Sequence, residues 1–311
     1  MVEPSSSAAT RGEDPLWSRA SAWLRPQDSL DRESMDSVLS VLGIPAHQLS
    51  ISVTNADQTP AAIRAALARY SSYCAEHDVD LTSLPAVDLG DIASPDSKEG
   101  QQRTIAAAHS VTSNGGVLVA LGGDNSVTYA AALGVWGEDV TRAGLVTFDA
   151  HHDLRDGISN GSPVRQLVQA GLAGQRVVQI GIADFANSRE YTARARDLGI
   201  TVISRAQLRH RDLGDVVAEA LEIAGSAGGP IHVDIDVDVC DRSVVPGCPA
   251  AAPGGISADE LRQLTNLAAL DTRVRSFDIA EIDATADAPD GRTVRLGALL
   301  VLEIACGISR R

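Results

Sequence analysis

Two short runs of this chain carry metal-binding side chains at every second position: Asp149-Ala150-His151-His152-Asp153 and His232-Val233-Asp234-Ile235-Asp236-Val237-Asp238-Val239. The first directly follows the apolar stretch AGLVTF, and in the second the acids alternate with β-branched residues, so both read as strand. Alternate residues of an extended chain share a face. Asp149, His151 and Asp153 would then point to one side, and Asp234, Asp236 and Asp238 would line one face of a second strand. Burying unpaired carboxylates is costly, and like charges on one face add to the cost. Neither run contains a Lys or Arg, and a divalent cation with oxygen ligands would neutralise the acids instead. The acids and His151 together exceed what one ion needs, which suits two ions bridged by carboxylates. An acidic turn remains the alternative for the first run, and a solvated edge strand for the second.

Two other segments end strands on polar residues. Leu121-Gly122-Gly123-Asp124-Asn125-Ser126 offers two glycines for a tight turn and a capping residue for a following helix. Phe277-Asp278-Ile279-Ala280-Glu281 delivers Asp278 and Glu281 to a strand end.

These residues need a scaffold, and the hydrophobic pattern supplies one. Strands are expected over 116–121, 143–148, 176–182, 200–204, 231–239 and 274–279, and helices over 61–77, 98–112, 126–136, 163–172, 188–198, 206–224, 258–268 and 294–306. The alternation implies right-handed crossovers and a three-layer α/β/α fold with a mainly parallel sheet. Ligands of such sheets sit beyond the carboxyl ends of the strands. Only 3% of residues are aromatic, so Val, Ile, Leu and Ala must fill the core. Residues 1–15 are small and polar and are expected to form a disordered tail, with one catalytic domain over 16–311.

Composition narrows the partners. Against 26 basic residues stand 41 acidic ones, for a net charge of −15, which argues against nucleic acid. No 18-residue apolar stretch and no leader pattern occurs, so a cytoplasmic protein with no membrane partner is expected. Cys74, Cys240, Cys248 and Cys306 show no zinc or disulfide spacing.

Taken as a set, GGDNS, DAHHD, DIDVDVCD and DIAEID, with DQTPAAIRAAL before them and DGRTVRLGALLVLEIA after, resemble the signature blocks of the arginase/agmatinase/formimidoylglutamase (ureohydrolase) superfamily. The resemblance runs from about Thr59 to the C-terminus. It implies an arginase-like fold, trimeric or hexameric assembly, and two Mn2+ ions per subunit. Asp149 and Asp236 would bridge the ions, His151 and Asp238 would complete one, and Asp153 and Asn125 would complete the other. A metal-bridging hydroxide would attack the carbon of a linear amidine, with Asp153 handling the proton and Glu281 paired with the substrate's cationic head.

Two departures refine this. Asn125 stands where the family usually has His. The loop Asn160-Gly161-Ser162-Pro163-Val164-Arg165-Gln166 lacks the His of arginases and agmatinases and resembles the formimidoylglutamase loop, as does Ile182-Ala183-Asp184-Phe185-Ala186-Asn187-Ser188. A substrate with two carboxylates wants arginines near the metals, and Arg155 and Arg165, with Asn160 and Ser162, are the candidate substrate contacts; Arg189 is a third arginine. The implied reaction is N-formimidoyl-L-glutamate plus water giving L-glutamate and formamide. An agmatinase or another guanidino-acid or guanidino-amine hydrolase is the second reading. A lapsed enzyme serving as a binding subunit is the third, and it would bind almost no manganese.

Overall fold

The computed structural model describes Asp14, residues 16–27 and residues 38–311. The expected N-terminal tail therefore lies outside the described residues apart from Asp14. Eleven strands occur among the described residues: β1 (Arg25–Pro26), β2 (Leu39–Ile44), β3 (Tyr73–Cys74), β4 (Val79–Asp80), β5 (Ala86–Asp91), β6 (Val117–Gly122), β7 (Gly144–Phe148), β8 (Val177–Ile182), β9 (Thr201–Ser204), β10 (Ile231–Asp236) and β11 (Val274–Ala280). The α-helices are α1 (Ala20–Trp23), α2 (Thr59–Leu67), α3 (Lys98–Ser113), α4 (Val127–Trp136), α5 (Pro163–Gln169), α6 (Arg189–Asp197), α7 (Arg205–Leu208), α8 (Leu213–Ala224), α9 (Ala258–Ala269) and α10 (Arg292–Ile308).

Nine strands form one sheet in the order β1-β5-β2-β6-β11-β10-β7-β8-β9, and β3 and β4 form a separate hairpin. Every pairing in the large sheet is parallel. The period-2 alternation separates its two faces. Val119, Leu121, Val233, Ile235 and Phe277 pack with α2, α8, α9 and α10, whereas Leu118, Ala120 and Leu145 pack with α3, α4, α5 and α6. This is the expected three-layer α/β/α arrangement. Helix α4 is apolar nearly all round because it is buried nearly all round. On β10 the same alternation sends Val233 and Ile235 to one face and His232, Asp234 and Asp236 toward α4, where His232 meets the edge of Trp136.

Several elements differ from the sequence expectation. The helix expected over 61–77 stops at Leu67, because the chain beyond it pairs with the N-terminal segment: Ala20 N donates to Tyr70 O and Ser72 N to Ser18 O. The hairpin follows, with Asp78 left-handed at its turn. The single helix expected over 206–224 is split, since Asp212 caps α8 by accepting hydrogen bonds from Gly214 N and Asp215 N. Strands β2 and β5 were not expected at all. Strand β10 ends at Asp236, and residues Val237–Val239 form a 3-10 turn.

One glycine locks the site's floor to the sheet. A Cβ at Gly123 would lie 1.8 Å from the carbonyl oxygen of Ala46, and Gly123 O accepts Glu281 N at 2.9 Å. Gly123→Ala should therefore lose about 1 to 3 kcal/mol from overpacking. A urea midpoint equal to that of the unaltered chain would contradict this close approach.

Candidate metal centre

The four central strands β6, β11, β10 and β7 end side by side, and the four polar segments meet beyond their carboxyl ends. Convergence comes from turns rather than from extended chain. β7 stops at Phe148; Asp149 Oδ1 accepts His151 N at 2.6 Å, and Asp153 adopts a left-handed φ of 52°. Asp236 Oδ1 accepts Asp238 N at 2.8 Å, which turns Asp238 off the strand face and toward His151. The expectation of three carboxylates on one strand face thus holds for Asp234 and Asp236 only. Glu281 is also left-handed, at φ 63°. Non-glycine residues seldom adopt this region, and where they do it is at turns, as at Asp78, or at functional sites.

Burial makes the cluster electrostatically demanding. Asp149, Asp234 and Asp238 are fully buried, and Asp153, Asp236 and Glu281 nearly so. Oxygen or nitrogen atoms of Asp149, His151 and Asp238 lie within 4.8 Å of one another, as do those of Asp149, Asp153 and Asp234. His151 Nδ1 stands 2.6 Å from Asp238 Oδ2 and 3.5 Å from Asp149 Oδ1. The contact to Asp238 Oδ2 lacks hydrogen-bond alignment, and Asp149 Oδ2 receives no hydrogen bond at all. Buried acceptors without donors are rare. Side chains aimed at a common point rather than at each other are what a bound cation requires, so the donor set of carboxylates and one imidazole fits divalent metal ions.

The protonation equilibria say the same. Burial, then the charge of Asp238, pushes Asp149 up to about 7. Burial, then Asp149, raises Asp153 well above the ordinary carboxyl range, and burial followed by Asp238 does so for Asp236. Burial opposes the charge on His151, but Asp238 and Asp149 outweigh it and raise the imidazole to about 12. Burial likewise opposes ionisation of Asp238, yet the charge on His151 holds it below the usual value. Without a metal, then, protons do the neutralising. A cation must displace them, so affinity rises with pH. In the metal-free chain, stability from the raised Asp149 is lost as pH rises from its ordinary 3.8 to about 7. Stability from the raised His151 is lost from 6.5 upward to about 12. The gain in melting temperature on adding Mn2+ should therefore be larger at about pH 8 than at about pH 6; an equal or smaller gain at the higher pH would contradict the reading.

A cavity of about 250 Å³ opens above the cluster, with Ile51, His151, Asp153, Arg155, Asn160, Tyr191, Asp236, Asp238 and Glu281 among its walls. Glu281 Oε1 accepts Asn160 Nδ2 at 2.7 Å and Asn125 N at 2.8 Å. Burial nevertheless raises this carboxyl to about 7. Asn160 also ties down the rim, its Oδ1 accepting Ile51 N at 3.0 Å. Arg155 is exposed on the wall, and Gly161 makes room for its stem. Among the described residues no carboxylate pairs with it.

Most other candidates are turned away from the cavity. Arg165 donates to the backbone oxygens of Arg155 and Gly157 and to Gln169, bracing the loop. Ser162 is fully buried, its hydroxyl donating to Ser159 O and accepting from Gln166. Arg189 is exposed at the start of α6 and does not line the cavity. Asn125 lies below the floor: its Nδ2 donates to Asp153 Oδ2 at 2.7 Å, and its Oδ1 accepts Thr128 Oγ1 at 3.1 Å. His152 borders the cavity, but its ring is paired with Gln179 at 2.6 Å. Burial pushes the thiol of Cys248 well up and that of Cys240 to about 12, so neither is poised as a nucleophile.

Sequence reasoning missed Arg205. This residue of α7 is buried, and its Nη2 donates to Asp238 O at 2.8 Å. It brings a positive charge to the acids from outside both runs, and nothing local marks it.

Residues 37–307 match the arginase family. This chain belongs to the arginase family. Within it, the chain is 34% identical over 276 residues to the formimidoylglutamase of Halalkalibacterium halodurans, covering 86% of each chain. The crystal structure of formimidoylglutamase from Bacillus subtilis superposes with a TM-score of 0.88 at 31% identity, covering 97% of this chain and 95% of that one. A Trypanosoma cruzi formiminoglutamase structure with Mn2+ shares the fold, with a TM-score of 0.86 at 22% identity over 95% and 99% of the two chains. The candidate site of this family member lies where its central strands end. Among the described residues no helix is long and apolar enough to cross a membrane.

Proposed function

We propose that this chain is a manganese-dependent formimidoylglutamase, hydrolysing N-formimidoyl-L-glutamate to L-glutamate and formamide. The observation that carries the proposal is the pairing of two features in one small cavity: a floor of converging carboxylates with His151, and a wall presenting Arg155 with no carboxylate among the described residues to pair with it. The first fits divalent cations. The second fits a substrate that is itself an acid. The similarity to relatives named formimidoylglutamase supports the same substrate.

Asp149, His151, Asp153, Asp236 and Asp238 would hold two Mn2+ ions. Bound there, the ions would polarise the amidine and lower the pKa of water at neutral pH. Glu281, kept in place by Asn160 and by the backbone of Asn125, faces the substrate's amidinium and orients its carbon over the floor. Asp153 accepts a proton from the attacking water and returns it to the leaving nitrogen. Arg155 receives a substrate carboxylate at the mouth. Cytoplasmic location belongs to the same proposal, as does trimeric or hexameric assembly, which follows from the resemblance.

The test is a panel of N-formimidoyl-L-glutamate, agmatine, guanidinobutyrate and arginine with the manganese-loaded protein. The formimidoyl compound should be turned over with the highest kcat/KM; a guanidino compound turned over faster would overturn the assignment. Arg155→Ala should raise KM for the acid substrate about tenfold or more with kcat little changed, since a hydrogen bond to a charged group contributes about 1.5 to 3 kcal/mol. An unchanged KM would remove Arg155 from the site.

A further inference from the structure

Asp234 is the one acid of the cluster for which the reading above has no use. It sits in the middle of β10, fully buried, on the same face as Asp236. Neither of its oxygens receives a hydrogen bond. One of them lies within 4.8 Å of carboxylate oxygens of both Asp149 and Asp153. Laterally its register partner is Asp278 on β11, another fully buried carboxylate, whose Oδ2 is 2.9 Å from His232 Nε2. From that side only the carboxyl of Asp278 stands within hydrogen-bonding reach of Asp234.

Asn125, the expected ligand beside Asp149 and Asp153, is engaged in a way that withholds it. Its amide nitrogen, not its oxygen, faces Asp153, and the oxygen is occupied by Thr128. An NH2 group presented to a cation repels it, and a neutral amide is in any case a poorer partner for a hard divalent ion than a carboxylate.

We propose that Asp234, rather than Asn125, completes the metal position built on Asp149, Asp153 and the bridging Asp236. The inference rests on the two-metal reading of the site and sharpens it. Asn125 then becomes a positioning residue: it holds Asp153 through its amide and Glu281 through its backbone. The competing role for Asp234, one proton shared with Asp278, gives it no contact with metal.

An anomalous difference map of the unaltered protein crystallised with Mn2+ separates these roles. The proposal expects two peaks, one of them with an Asp234 oxygen at about 2.0 to 2.6 Å, the span of oxygen ligands to hard divalent ions. Two peaks with Asn125 in that place and Asp234 clear of both would overturn the proposal and leave the hydrolase reading standing. No peak beside Asp149 would sink the hydrolase reading itself. In solution, calorimetric Mn2+ titration of folded D234N should show the affinity of one ion reduced by about tenfold or more. N125A should change it less. Affinity in D234N equal to that of the unaltered chain would overturn the proposal, and if D234N fails to fold the map still decides.

Discussion

Asp149→Asn is expected to abolish measurable turnover and to strip the chain of manganese. Asp149 belongs to both groups of converging ligand atoms, is fully buried, and has one oxygen that no donor reaches. The amide replaces a charge shared by two cation positions with a neutral group whose NH2 points at one of them. Metal polarisation contributes several kcal/mol to such a reaction, and about 4 kcal/mol corresponds to roughly a thousandfold in kcat/KM. We therefore expect a loss of at least about that size. The metal-free variant should melt at or above the metal-free unaltered chain, because one buried like charge is gone. A variant that bound manganese normally and kept a tenth of its activity would show that Asp149 does not bridge.

Chelation should act on stability as well as on rate. Exhaustive dialysis against a chelator is expected to remove all activity, and re-addition of Mn2+ should restore it. At free metal about a hundredfold above the dissociation constant, each bound ion contributes about 2.7 kcal/mol. For a chain of this size that is about 4 °C in melting temperature per ion. A melting temperature indifferent to chelator, with activity retained, would mean that the buried acids are neutralised by something other than a metal.

The chemistry of this chain was more legible in its sequence than its geometry was. The four polar segments announce themselves because each follows an apolar strand, and the parallel sheet places their ends together whatever the details of register. The alternation in β10 correctly separates Val233 and Ile235 from Asp234 and Asp236. It fails at Asp238, where a side chain accepting its own backbone two residues on bends the chain. Local backbone hydrogen bonding of this kind has no periodic signature. Strand β2 is buried at every position, as the expected β6 is, but Ser40 and Gly43 interrupt its apolar run, and β5 ends in Asp88, Gly90 and Asp91 like a polar loop. Arg165 and Ser162 look like substrate contacts in the sequence, yet both are used up bracing their own loop. Arg205 was invisible for the opposite reason: it reaches Asp238 across the fold, and no spacing encodes that contact.

Elemental analysis of the protein, equilibrated with Mn2+ and then freed of unbound metal by gel filtration, bears most directly on the whole account. Two manganese ions per chain are predicted for the unaltered protein and a clear deficit for D149N. Manganese in the unaltered protein no higher than in D149N would contradict the claim that divalent ions hold these acids together in the sheet's dry interior.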